Sequence, residues 1–170
     1  MVSVQPIFIV VTDANIIINL IHIDRLDLLG ALPPFSFVVP EEVVKEITDG
    51  NQAEMVRDAI RLGFLQQVQL SSIPELKIYA DLVRTLGAGE AACLALAECR
   101  GCLVASDEKR AFYREAAIRI GQDRIINTAG ILLKGIRLNV LTVDEADDAK
   151  AVLERRRFVM KFTSFRELLK

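Results

Sequence analysis

Tryptophan is absent from this chain, histidine occurs once, and aromatic residues make up only 6% of 170 positions. These shortages narrow the chemistry. The lone histidine, His22, sits at helical spacing beside Asn19 and reads as structural. Three cysteines, Cys93, Cys99 and Cys102, are an odd number in a chain without a recognisable secretory signal, which argues against a disulfide framework. Cys99 and Cys102 form a C-x-x-C, but no second pair and no further histidine complete a zinc site, so all three read as structural thiols. Long hydrophobic runs are missing too. The run at 16–23 is interrupted by Asn19 and His22 and stops at Asp24, too short to cross a bilayer. No positive n-region precedes the first apolar stretch. The expectation is a cytoplasmic chain with no membrane partner. Neither charge sign dominates: 21 Lys and Arg face 23 Asp and Glu. Any nucleic-acid surface would therefore be local. No G-x-G-x-x-G follows the first apolar run, which disfavours a Rossmann-type nucleotide sensor.

What is present is a regular alternation of short apolar runs with helical periodicity. It predicts an α/β fold around a mainly parallel sheet. Strands are expected at 7–12, 35–39, 64–70, 102–105 and 125–126, the first apolar enough to be buried on both faces. Helices are expected at 15–29, 41–48, 52–62, 72–86, 90–99, 107–120, 128–135 and 143–156. Ser72, Pro74 and Glu75 form a capping-box start. Residues 158–169 are hard to place, with Ser164 a candidate cap for a last helical turn. With no repeat or linker, residues 1–170 read as one domain. Residues 1–124 carry the motifs, and 125–170 extend the same domain.

Four acids punctuate this pattern. Asp13 and Asp107 each end a predicted strand, Glu46 lies in the helix after another, and Glu90 follows Gly87-Ala88-Gly89 at a helix start. Each has an ordinary structural reading as a cap or a first-turn acid. Glu42 rivals Glu46, and Glu108 rivals Asp107. Their shared topology matters more, because strand ends and the following helix starts converge on one sheet edge, where ligands bind. Four carboxylates there repel one another unless a cation lies between them. Hard divalent ions prefer oxygen donors, so Mg²⁺ or Mn²⁺ suits the set. Metal-assisted phosphodiester hydrolysis is the leading reading. A haloacid-dehalogenase-like phosphatase would want a second aspartate at position 15, where the chain has Asn15.

The stretches VTDAN at 11–15, VVPEEVVKEI at 38–47, LGAGEAACLALA at 86–97 and LVASDEKR at 103–110 resemble the PIN-domain family. The resemblance is to the branch allied to prokaryotic toxin–antitoxin ribonucleases of the VapC type and their uncharacterised relatives. It implies a three-layer α/β/α sandwich and a Mg²⁺- or Mn²⁺-dependent endoribonuclease site with one or two ions. It implies catalytic roles for Asp13, Glu46, Glu90 and Asp107. Asp13, Glu90 and Asp107 would be metal ligands, with Glu46 and Glu108 as further candidates. Asn15 and Ser106 would be supporting polar groups. Position 106–108 reads Ser-Asp-Glu rather than carrying a pair of aspartates, so the choice between Asp107 and Glu108 stays open. Lys109, Arg110 and Arg114 follow the fourth acid and are candidates for substrate phosphates. Arg155–Arg157 is the densest basic run. The implied partners are RNA and a small antitoxin protein. Apolar stripes on 52–62 and 73–86 could also pair two copies of the chain. The alternative is a non-catalytic binding module on the same fold.

Overall fold

The sheet consists of five short strands, β1 (Phe8–Thr12), β2 (Phe35–Pro40), β3 (Gln66–Val68), β4 (Leu103–Ala105) and β5 (Ile125–Ile126). All are parallel, in the order β3-β2-β1-β4-β5. This is a computed structural model, and it describes residues 5–170. β1 is central, with Val11 paired to Val38 on one side and to Val104 on the other. The chain first builds outward through β2 and β3, then returns to add β4 and β5 on the opposite side of β1. The crevice between β1 and β4 is therefore the topological switch point of the sheet.

Eight α-helices connect and cover the strands among the described residues: α1 (Ala14–His22), α2 (Glu41–Glu46), α3 (Gly50–Arg61), α4 (Ile73–Leu82), α5 (Ala88–Arg100), α6 (Ala111–Arg119), α7 (Thr128–Arg137) and α8 (Val143–Arg155). The result is an α/β/α sandwich, with the mainly parallel sheet that the alternation of runs predicts and the three layers that the family resemblance implies. α5 is the most deeply buried helix. Its stretch from Ala91 to Ala97 is fully enclosed, packed on β1, β2 and β4 and flanked by α2, α4 and α6. Small side chains let it lie close to the strands. It ends at Gly101, whose φ of +67° favours glycine. On the other side, α1, α7 and α8 pack against one another. One contiguous set of buried apolar residues runs from Val10 to Phe165.

The structure corrects several boundaries. The helix expected at 15–29 stops at His22, because Asp24 takes a positive φ of 54° and residues Leu26–Gly30 form a separate 3-10 turn. α4 ends at Leu82, four residues early. α5 begins at Ala88, which places Glu90 inside its first turn. The helix expected from Asp107 starts only at Ala111, after Arg110 adopts a φ of 62°. The strand expected at 64–70 shrinks to three residues. β1 is not enclosed throughout: Phe8 and Ile9 are partly exposed, and burial begins at Val10. The end of β1 that meets the helix layers is the end that carries Asp13. Ser164 does cap the last turn, accepting a hydrogen bond from the Arg166 N–H.

Candidate metal centre

Asp13 follows β1 directly and caps α1, its Oδ1 accepting from the Ala14 N–H at 2.8 Å. Its own N–H donates to Ala105 O at 3.0 Å, which ties the end of β1 to the end of β4. The residue is only 3% exposed. Oδ2 accepts from the Ser106 hydroxyl at 3.1 Å and from Asn15 Nδ2 at 3.3 Å. Those bonds favour the anion, but burial outweighs them, and the charges of Glu90 and Glu46 add to it. The carboxyl is pushed up to about 7.

Glu90 reaches back within the first turn of α5, its Oε2 accepting from the Gly87 N–H at 3.1 Å. Burial raises its pKa, with Glu108 and Glu46 contributing. Glu46 ends α2 and lies against the same turn, its Oε1 accepting from the Gly89 N–H at 2.7 Å. A Cβ at position 89 would stand 2.5 Å from Glu46 Oε2, so only glycine lets this carboxylate approach the backbone. The Gly-Ala-Gly-Glu stretch is thus a seat for two acids, one from its own helix and one from α2. Glu42, the rival for Glu46, leaves its Oε2 buried without a hydrogen-bond partner.

After β4 the two neighbouring acids diverge. Asp107 turns to the start of α7: Oδ1 accepts from the Thr128 N–H at 2.9 Å, and Oδ2 accepts from Asn19 Nδ2 at 3.0 Å and from the Thr128 hydroxyl. Burial raises its pKa against these bonds. Asp107 therefore supplies the acceptor that the first turn of α7 needs. Glu108 turns the other way, with Oε1 accepting from Asn15 Nδ2 at 3.0 Å, while its N–H donates to Ser106 Oγ at 3.1 Å.

One carboxylate oxygen each from Asp13, Glu90 and Glu108 lies within 4.8 Å of the others. Metal–oxygen bonds are about 2.0–2.6 Å long, so oxygens sharing one ion stand at most about 5 Å apart. The spacing fits. So does the donor set, which is all hard oxygen. Among the described residues, no side-chain ion pair involves any of these acids. A divalent ion would supply the missing charge. Glu46 borders the set, close enough to act on both Asp13 and Glu90. Asp107 is not one of the three converging acids. Asn15 and Ser106 each touch Asp13 and brace the loop that carries Glu108.

Asn19 and Thr128, which hold Asp107, are functional-site neighbours that the sequence did not single out for this role. Asn19 is visible as a polar break in an apolar run, but nothing local marks Thr128. Lys109 lines a groove beside Glu108, whereas Arg110 and Arg114 are exposed outside its lining. His22 lies at the far end of α1, about 13 Å along the helix from Asp13. The three cysteines are free thiols. Cys93 is buried beneath the acids, and burial together with Asp13 and Glu46 pushes its thiol pKa well up, which makes it inert.

A strand-end acid at the switch point, joined by acids from α5 and from the loop after β4, forms an all-oxygen cluster on a parallel sheet whose spacing fits a divalent ion. The family model for the PIN domain matches residues 9–170, and the chain belongs to that family, a family of nucleases. No curated protein and no solved structure matches it. No helix among the described residues is long and apolar enough to cross a membrane.

Proposed function

We propose that the protein is a divalent-metal-dependent endoribonuclease, hydrolysing phosphodiester bonds of single-stranded or structured RNA, with residues 1–170 acting as one domain. The observation that carries this reading is the convergence of Asp13, Glu90 and Glu108 at the switch point of the sheet. These three would hold Mg²⁺ or Mn²⁺, one ion or two, with Glu46 alongside. A bound divalent ion supplies Lewis acidity towards water and the scissile phosphate. The chain's own residues fix where that happens. Asn15 holds the Asp13 and Glu108 carboxylates, Ser106 holds the Asp13 carboxylate and the Glu108 N–H, the Gly87 and Gly89 N–H groups orient Glu90 and Glu46, and Asp107 pins the loop to α7. In this assignment Asp107 is a positioning residue and Glu108 is the fourth acid.

The toxin-like resemblance supports a role as the toxin of a toxin–antitoxin pair in the cytoplasm. A small partner could place Arg or Lys among the carboxylates. Exposed Met55 and Leu62 at α3, and Ile73 and Leu76 on α4, support pairing of two copies. The test is cleavage of single-stranded RNA by the purified chain with Mg²⁺, Mn²⁺ or EDTA, alongside calorimetric titration of each metal. Cleavage restored by Mg²⁺ or Mn²⁺ and abolished by EDTA is expected. Metal binding without cleavage of any RNA offered would overturn the nuclease reading and favour a non-catalytic module.

A further inference from the structure

A groove of about 770 Å³ shares Glu108 with the acid cluster, has Ser106 and Asp107 beside it in its lining, and runs along the segment that follows α8. Its walls combine two kinds of side chain. Lys109, Arg157 and Lys161 are exposed cations, and none of them joins an ion pair among the described residues. Tyr113, Phe158 and Phe162 are aromatic, and Tyr113 is 41% exposed. In a chain with so few aromatics, three in one groove is a concentration.

The wall formed by 157–162 is held at both ends. At its start, Arg157 takes a left-handed φ of 67°, and the Arg157 and Phe158 N–H groups donate to Glu154 O and Leu153 O of α8 at 2.9 and 3.0 Å. At its end, Ser164 Oγ and the Phe165 N–H both donate to the Asp147 carboxylate at 2.6 and 2.8 Å. Between these anchors Met160 is buried, and the Phe162 ring packs edge-on against Phe165, with centroids 4.9 Å apart. A segment outside any regular element is thereby pre-organised, and its cations point to an anionic ligand.

We propose that this groove is the binding site for the single-stranded RNA flanking the scissile phosphate, with Tyr113 as a base-stacking platform and Lys109, Arg157 and Lys161 as phosphate contacts. The proposal rests on the nuclease reading of the adjacent acids. Charge complementarity selects a polyanion. Aromatic faces select unpaired bases, because bases in a duplex are already stacked on one another. The volume is that of a ligand pocket and not of a duplex-wide surface.

The test uses the full chain, a fluorescent single-stranded RNA and a duplex of the same sequence. Anisotropy is read in Ca²⁺ at several salt concentrations, and cleavage kinetics are read in Mn²⁺. Tyr113→Ala should weaken single-strand binding about tenfold, a loss of one stacked base, and raise KM by a similar factor. Tyr113→Phe should restore both. Lys161→Ala should lower the slope of log K against log salt by about 0.7, the value for one lost phosphate contact to a single strand. The duplex should compete poorly. Both side chains are exposed, so melting curves should match the wild type. If the wild type cleaves RNA and these variants bind and cleave as it does, the groove assignment is overturned and the nuclease reading stands. If the wild type cleaves nothing yet the variants lose RNA binding, the groove stands and the nuclease reading falls. A groove that captures polypeptide while showing no affinity for RNA overturns the proposal.

Discussion

The two hydrogens of the Asn15 amide go to different acids, Asp13 and Glu108, while its oxygen accepts from the Asp107 N–H. One side chain thus sets two converging carboxylates and the loop between them. An aspartate there would replace both donations with repulsion, which is why a second acid at this position suits another chemistry. Substitutions in this group separate its roles. Asp13→Asn keeps the cap on α1, since asparagine caps as well as aspartate. It should leave the fold intact and lower RNA cleavage at least ~100-fold in single-turnover assays. The same variant should change the pH response of stability. With its carboxyl near 7 in the native state and near 3.8 unfolded, wild-type Asp13 binds more protons native than unfolded between those values. The metal-free wild type therefore loses stability as pH rises from about 4 to 7, and denaturant midpoints of Asp13→Asn should fall less over that window. Glu108→Gln should abolish tight Mn²⁺ binding in calorimetry. Asp107→Asn should leave metal binding measurable and lower the melting temperature, because the contacts it loosens hold α7. The reverse pattern would return Asp107 to the metal. VTDAN and LGAGE were legible because each signal is local: an acid closing an apolar strand, and glycines before an acid. The choice between Asp107 and Glu108 was not, because successive residues of an extended loop point opposite ways. Which side faces the site depends on Asn19 and Thr128 from other elements.

Secondary-structure elements divide along the same line. The start of α4 was readable from Ser72 and Glu75, and both halves of the capping box form. Less readable was the second use of Glu75, whose Oε1 pairs with Arg100 Nε at 2.7 Å, linking the start of α4 to the end of α5. That guanidinium outweighs the cost of burial, and with the Ser71 and Ser72 N–H groups it holds the Glu75 carboxyl down at about 2. The native state then binds fewer protons than the unfolded chain between about 2 and 4.5. The stabilisation is complete above pH 4.5 and is lost as pH falls towards 2. Glu75→Gln should flatten the acid limb of a stability-versus-pH curve across that interval, measured by urea melts. An unchanged limb would show that Arg100 does not hold the carboxylate. The breaks at Asp24 and Arg110 escaped the sequence for a plain reason. Apolar periodicity continues across them, and a single left-handed residue leaves no compositional trace.

For the molecule as a whole, the alternation of runs was enough to predict an α/β fold on a mainly parallel sheet, and the family resemblance supplied the three-layer arrangement, but strand order was not written in any one segment. Self-association is tested at this scale. If α3 and α4 pair two copies, sedimentation equilibrium at tens of micromolar should give a dimer, and Ile73→Glu with Leu76→Glu should return it to monomer without unfolding it. A wild-type monomer with and without Mg²⁺ would remove the pairing. The strand order also has a consequence for how the protein is made. β1 is synthesised ahead of both its partners, and β4 follows only after β2 and β3 have been made. Glu108 follows β4, and Thr128, which anchors the loop behind it, comes later still. During translation, then, Asp13 is made before the groups that complete the centre. A nascent chain that has not yet reached β4 therefore carries Asp13 and Glu90 without Glu108, and the three-acid cluster closes only when β4 and the loop after it are in place.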